Sequence, residues 1–202
     1  QIIAQALSSY RAEEMFISFN GGKDCTVLLD LIHQANLKDA KQIKCIYVRP
    51  LNPFSEIEEF VDRCRQHYGI TIATVDGGIK AALEQICRAD PQLKACIMGS
   101  RRSDPYCERL ASFQETDPGW PRLMRINPLL EWTCEDIWSY IREHNVPYCA
   151  LYDRGYTSIG DRTNTIPNPH LKVEADSSGE EVTYLPAYTL HDADKYERAG
   201  RL

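Results

Sequence analysis

MFISFNGGKDCTVLL, residues 15–29, opens on an apolar run of strand length, turns at a glycine pair and resumes with an apolar run of helical length. Gly21 and Gly22 carry no Cβ, so the turn can take angles closed to other residues and bring main-chain N–H groups close to an anion. The following helix begins with N–H groups that have no intrahelical partner and with the positive end of its dipole. Strand, tight turn and helix N-terminus together make a cradle for the phosphates of a nucleotide. A Walker A loop would need a glycine four residues before Gly-Lys-Ser/Thr, and Phe16 to Gly22 offers no such frame. A G-x-G-x-x-G turn fails as well, because the glycines are adjacent and no third one follows.

Outward from this loop the first half alternates strand and helix signals. Residues 15–19 predict a strand and 24–35 its helix, and IKCIYVR (43–49) predicts a second strand. EIEEFVDRCRQHYG then sets Ile57, Phe60, Val61, Cys64 and Tyr68 at helical spacing and stops at Gly69. ITIATVD (70–76), a helix over 79–88 and KACIMGS (94–100) complete four units. The pattern predicts an α/β fold, a mostly parallel sheet with helices on both faces. Ligands of such sheets gather at the carboxyl ends of the strands, so the loops after Phe19, Val48, Asp76 and Met98 are the candidates.

Beyond residue 103, PYCERLASFQETDPGWPR reads as a long polar loop, and RLMRINPLL returns to the sheet. Thr133 with Glu135 and Asp136 starts a helix whose buried side is Ile137, Trp138 and Ile141. The last 55 or so residues, rich in Tyr, Pro, Asn and Gly, read as irregular, with KVEADSSGEEV (172–182) a mobile surface loop. The whole is expected to be one domain, a core over 1–145 with a substrate-covering extension over 146–202.

The 202 residues carry 29 acidic against 23 basic side chains, a formal charge of −6, which argues against broad binding to nucleic acid. No apolar run approaches the ~20 residues that span a bilayer. The opening QIIAQALSSYRAEE shows neither a charged leader nor a cleavage pattern, and its lack of Met suggests a start inside a longer chain. Eight cysteines without C-x-x-C or regular spacing predict free thiols in a reducing compartment, with a cytoplasmic setting expected and mitochondrial or nuclear forms left open.

N-G-G-K-D-C at residues 20–25 resembles the PP-loop, written S-G-G-x-D-S in that superfamily. SFNGGKDC, GSRRSDPY, TDPGWPRLMRINPLLEW, PYCALYDRGYTSIGDRTNT and the closing ERAGR together resemble the eukaryotic FAD synthase family within the PAPS-reductase-like proteins. DPGW and RGYTSIG are the more specific segments. The resemblance implies an adenine nucleotide alpha-hydrolase-like fold and a transferase that joins FMN to the AMP part of ATP. FAD and pyrophosphate would be formed with Mg²⁺ present, and no nucleic acid, membrane or obligate protein partner would be needed.

Carried over by that resemblance, Asn20, Asp24 and Asp104 form the polar active-site set, with Asp24 reaching the metal directly or through water. Ser18, Gly21, Gly22, Lys23, Val48, Ser100 and Arg102 belong to the nucleotide side, and at least one of Arg101 and Arg102 faces the phosphates. Arg198 and Arg201 steer the phosphate of FMN. Asp117, Pro118, Gly119 and Trp120, with Arg125, are assigned to the flavin ring: Asp117 accepts from the imide N–H and Trp120 packs on the ring face. Cys25, near a helix N-terminus, is rejected as a nucleophile because adenylyl transfer needs no thiol. A related reductase would use a cysteine near its C-terminus, whereas the last one here is Cys149. A tRNA-modifying enzyme would present a basic surface. A nucleotide sensor without chemistry remains a rival.

Overall fold

A computed structural model of the chain describes residues 1–35, 39–173 and 182–202. The strand β1 (Met15–Phe19) is apolar at four of five positions, as a central strand covered on both faces must be. Because side chains alternate along a strand, Met15, Ile17 and Phe19 feed one core while Phe16 feeds another. The larger core takes Val27 and Leu28 from α2 (Lys23–Gln34), Ile57 and Phe60 from α3 (Ser55–Tyr68) and Ile137 from α5 (Cys134–Glu143). The smaller one closes under Leu83 and Ile86 of α4 (Ile79–Ala89). Helices therefore cover both faces.

The six-stranded sheet runs β3-β2-β1-β4-β6-β5, with β2 at Lys44–Arg49, β3 at Ile72–Asp76, β4 at Ala95–Ile97, β5 at Phe113–Glu115 and β6 at Met124–Ile126. All neighbours pair in parallel except β5, which is antiparallel to β6. The chain winds from β1 outward to β3 and then crosses back to place β4 on the other side of β1. Between β1 and β4 the winding reverses, and the loops leaving their carboxyl ends diverge to open a crevice.

Two elements differ from the sequence reading. The helix α1 (Ile2–Ser9) was not anticipated; its Ala6 is buried against the larger core. The segment read as a structureless loop after residue 103 contains β5, whose three residues are too few to show alternation. The cap at Thr133 is as expected: its hydroxyl accepts the Asp136 N–H at 3.1 Å, and the Asp136 carboxylate accepts the Thr133 N–H at 2.8 Å. Of the polar stretch 172–182, residues 174–181 lie outside the described residues, while β7 (Lys172–Val173) and β8 (Thr183–Tyr184) pair antiparallel on either side of them. The remainder of the C-terminal part is short 3-10 turns and one turn of helix, α6 (Ala193–Tyr196). No helix among the described residues is long and apolar enough to cross a membrane.

Candidate active site

A cavity of about 670 Å³ lies at the crevice, within the size range of small-molecule sites. Its floor is the β1–α2 turn with Ser18, Asn20 and Gly22 to Cys25; one wall is the loop after β4, Gly99 to Arg101 with Asp104. Val48, Phe54 and Ile57 add an apolar side. The C-terminal part returns to close it with Tyr152, Ser158 to Asp161, Glu197, Arg198 and Arg201. Residues more than 170 positions apart thus meet in one space.

The turn needs its glycines for two separate reasons. Gly21 has φ +74°, and an ideal Cβ there would also press Ile57 at 3.0 Å. At Gly22 a Cβ would lie 2.9 Å from Asn20 Oδ1, the atom that accepts the Gly22 N–H at 2.9 Å. Asn20 thus braces the turn. In the first turn of α2 the Lys23 N–H donates to the Tyr152 hydroxyl at 2.8 Å. The next two donors, Asp24 N–H and Cys25 N–H, find no acceptor among the described residues and remain for an anion.

Behind the turn lies a buried network of charges. Lys23 Nζ donates to Asp24 Oδ2 at 3.0 Å and to Glu197 Oε2 at 2.9 Å. Arg101, 1% exposed, donates from Nε to Asp24 Oδ1 at 2.6 Å, from Nη1 to Asp194 Oδ1 at 2.9 Å and from Nη2 to Glu197. Burial works against both cations, yet the facing carboxylates outweigh it and hold Lys23 and Arg101 above their ordinary values. Burial likewise pushes Asp24 and Glu197 up, but Lys23 and Arg101 bring both below the usual carboxylate range. Asp104 goes the other way: its burial raises it, although Oδ2 accepts the Arg101 N–H at 2.9 Å.

Arg198 and Arg201 form no ion pair among the described residues. Arg198 Nη1 reaches only Ser158 Oγ at 3.5 Å. Arg201 lies below the ordinary arginine value, first from burial and then from Arg198 beside it. Two like charges held together at a cavity wall call for an anion between them.

Of the residues singled out in the sequence, Ser18, Asn20, Gly22, Lys23, Asp24, Val48, Ser100, Asp104, Arg198 and Arg201 line this cavity. Gly21 shapes the turn without facing it. Arg102 does not belong there: its guanidinium grips Glu131 and the carbonyls of Glu108 and Leu110, pinning the following loop, and Arg101 takes the inward place. Asp117, Pro118, Gly119, Trp120 and Arg125 do not line it either. They form a neighbouring turn in which the Trp120 N–H donates to the Asp117 carbonyl and Gly119 takes φ +83°, with Pro118 before it. Trp120 is partly exposed beneath Lys80 Nζ, 6.0 Å from its ring, and Lys80 follows the cavity residue Ile79. Arg125 reaches Asp117 Oδ1 at 3.4 Å and keeps a buried Nε without a partner. Burial pushes the Cys25 thiol up to about 12, leaving no thiolate at neutral pH.

The sequence reading passed over Tyr152, Asp194 and Glu197. Tyr152 and Glu197 stand inside motifs already noticed, PYCALYDRGY and ERAGR, but nothing local says that they reach residue 23. Both oxygens of Asp24 face cations, so a bare metal contact there competes with Lys23 and Arg101. Asp104 keeps Oδ1 without a partner. Among the described residues no three His, Cys, Asp or Glu side chains form a metal cage. This donor set fits a Mg²⁺ that rides on a polyphosphate, keeps most of its waters and takes one or two carboxylates.

Residues 14–167 match the model of the phosphoadenosine phosphosulfate reductase domain. The probable FAD synthase of Schizosaccharomyces pombe is 39% identical over 210 residues, covering 100% of this chain and 76% of that protein. The probable FAD synthase of Caenorhabditis briggsae is 37% identical; there the chain spans all of its own length but 39% of the relative. The crystal structure of Candida glabrata FMN adenylyltransferase in complex with FMN and the ATP analog AMPCPP superposes with a TM-score of 0.87 at 28% identity, over 99% of this chain and 86% of that one. The chain belongs to the phosphoadenosine phosphosulfate reductase family, and within it to the FAD synthases.

Proposed function

We propose that this chain transfers the AMP part of ATP to the phosphate of FMN, giving FAD and pyrophosphate. The observation that carries the reading is the convergence, on one cavity, of the β1–α2 turn, Asp104 and Arg198 and Arg201, which form no ion pair among the described residues. In the reaction an oxygen of the FMN phosphate bonds to the α-phosphorus of ATP. The bond to the bridging oxygen breaks, and its electron pair leaves with pyrophosphate. A phosphate monoester with a second pKa near ~6 is mostly a dianion at neutral pH, so the nucleophile needs no general base. None of the cavity side chains is a histidine, and none has to be.

Arg198 and Arg201 hold the acceptor phosphate and align it for attack. The N–H groups of Asp24 and Cys25 take oxygens of the triphosphate, and Val48, Phe54 and Ile57 offer an apolar wall to the base. Mg²⁺, held by the triphosphate with Asp104 and, through water, Asp24, would neutralise charge as it accumulates on the leaving group. The flavin ring extends past Ile79 toward the turn at Asp117–Trp120, where Arg125 has a donor to spare. Support comes from the FMN and AMPCPP named for the Candida glabrata structure. Eight free cysteines support a reducing, cytoplasmic setting.

The test is incubation with Mg²⁺, α-labelled ATP and FMN, riboflavin or no acceptor, followed by chromatography. Labelled FAD with FMN alone is expected. ATP binding with no transfer to any acceptor would sink the proposal and favour a nucleotide sensor.

A further inference from the structure

The buried charges of this site do not balance in the way an anion site would suggest. Lys23 and Arg101, the two cations nearest the β1–α2 turn, are paired with carboxylates, while Arg198 and Arg201 on the same cavity form no ion pair among the described residues. Glu197 makes that division. Its two oxygens divide between Lys23 Nζ and Arg101 Nη2, and the residue is 2% exposed. Its backbone is equally fixed: the carbonyl accepts the Thr157 hydroxyl at 2.6 Å, and Asn168 Nδ2 ties Thr157 Oγ1 at 2.9 Å to the Tyr196 carbonyl at 2.8 Å. Arg198 is the next residue.

We propose that Glu197 is the positioning residue of this site: it neutralises Lys23 and Arg101 and, by anchoring to them, places Arg198 and Arg201 to face the acceptor phosphate. The inference rests on the adenylyltransferase reading for the identity of that acceptor. Two consequences follow. Loss of the anchor frees the C-terminal arginines and weakens binding of the acceptor. The same loss leaves Lys23 with Asp24 alone and Arg101 with Asp24 and Asp194, one carboxylate fewer for each cation beside the turn, which strengthens the hold on the pyrophosphate end of the nucleotide. One substitution then moves the two substrates in opposite directions, which a residue that merely stabilises the fold cannot do.

The experiment compares wild type, Glu197→Gln and Glu197→Asp by calorimetric titration of Mg-pyrophosphate and by the KM for FMN. For Glu197→Gln, which keeps shape and removes charge, pyrophosphate is expected to bind about tenfold more tightly and the KM for FMN to rise about tenfold. Weakening of both by a similar factor would overturn the proposal. Should that variant fail to fold, Glu197→Asp decides: with the charge kept and the reach shortened, pyrophosphate affinity stays at the wild-type value while the KM for FMN rises. Loss of both affinities in the aspartate variant, or an unchanged KM for FMN in either, refutes it. A wild-type protein that makes no FAD would strike the adenylyltransferase reading, and the pyrophosphate titration would still judge Glu197.

Discussion

Gly160→Ala separates the position of Arg201 from its charge. An ideal Cβ at residue 160 would lie 2.5 Å from Cζ and Nη1 of Arg201, where ordinary contact begins at 3.4 Å. The guanidinium is the far end of a flexible side chain, so it yields; the retreat is about 1 Å, enough to misalign an acceptor. The main chain at 160 lies outside the left-handed region, and alanine fits it without strain. Asn164 Oδ1, which accepts the Asp161 N–H at 3.1 Å, is crowded too, and overpacking of this kind costs about 1–3 kcal/mol of stability. A hydrogen bond to a charged group is worth about 1.5–3 kcal/mol. Losing one at Arg201 therefore lowers FMN affinity roughly 10- to 150-fold. Titration of FMN into the variant, with AMPCPP as control, reads the effect: FMN weakens and AMPCPP does not. Unchanged FMN affinity in a folded Gly160→Ala protein would show that Arg201 does not hold the acceptor phosphate.

Tyr152→Phe removes the acceptor of the Lys23 N–H and leaves a buried donor unsatisfied, at a cost of about 1–3 kcal/mol. Thermal unfolding should fall, and added ATP should recover more stability than in wild type because a phosphate oxygen can take the vacant place; an equal ATP-induced shift in both proteins would count against a phosphate lying there. Cys25, with its thiol pushed up to about 12, should resist iodoacetamide at pH 8 in the folded protein, and Cys25→Ser should retain turnover. Rapid carboxymethylation mapped to Cys25, or a dead but folded serine variant, would contradict this. Acid should destabilise the fold. Asp24 and Glu197 lie below their unfolded values of about 3.9 and 4.3, so their contribution is complete above those values and is lost as pH falls through the folded ones. Asp104, raised by burial, has the opposite sign and gains stability as pH falls, offsetting part of the loss. Denaturant midpoints measured from pH 6 downward, in wild type and Glu197→Gln, should show a shallower decline in the variant; parallel curves would remove Glu197 from the acid response.

Local chemistry made the β1–α2 turn legible. Gly21 and Gly22 sit between a strand and a helix, and the pattern of MFISF followed by KDCTVLL says so within 15 residues. The same holds for α3, whose buried stripe ends at a glycine with φ +61°, and for the Thr133 cap. Periodicity fails where an element is too short to repeat, which is why the three residues of β5 passed for loop. It says nothing about long-range pairing. Arg101 and Arg102 are adjacent and chemically identical, and only the fold sends one to Asp24 and Glu197 and the other to Glu131.

That asymmetry explains the arrangement of the site as a whole. A parallel sheet can open a crevice between β1 and β4, and the turn there supplies N–H groups, but these elements alone cannot hold two phosphorylated substrates apart. A second set of cations must come from elsewhere, at a fixed distance and not neutralised by the first set's carboxylates. The C-terminal segment meets both needs at once. Glu197 carries the charge that engages Lys23 and Arg101, and the four residues after it deliver Arg198 and, past Gly200, Arg201. Gly200 is itself required by packing: its carbonyl accepts the Ile166 N–H at 2.9 Å, and a Cβ there would run into the Ile166 carbonyl. On the proposed assignment of the two substrates, an ion-paired residue beside one that has no ion pair among the described residues divides the cavity into a nucleotide end whose cations are already paired and an acceptor end whose cations are not. Phosphate binding is then strongest where the acceptor must wait for attack, and weaker where pyrophosphate must leave.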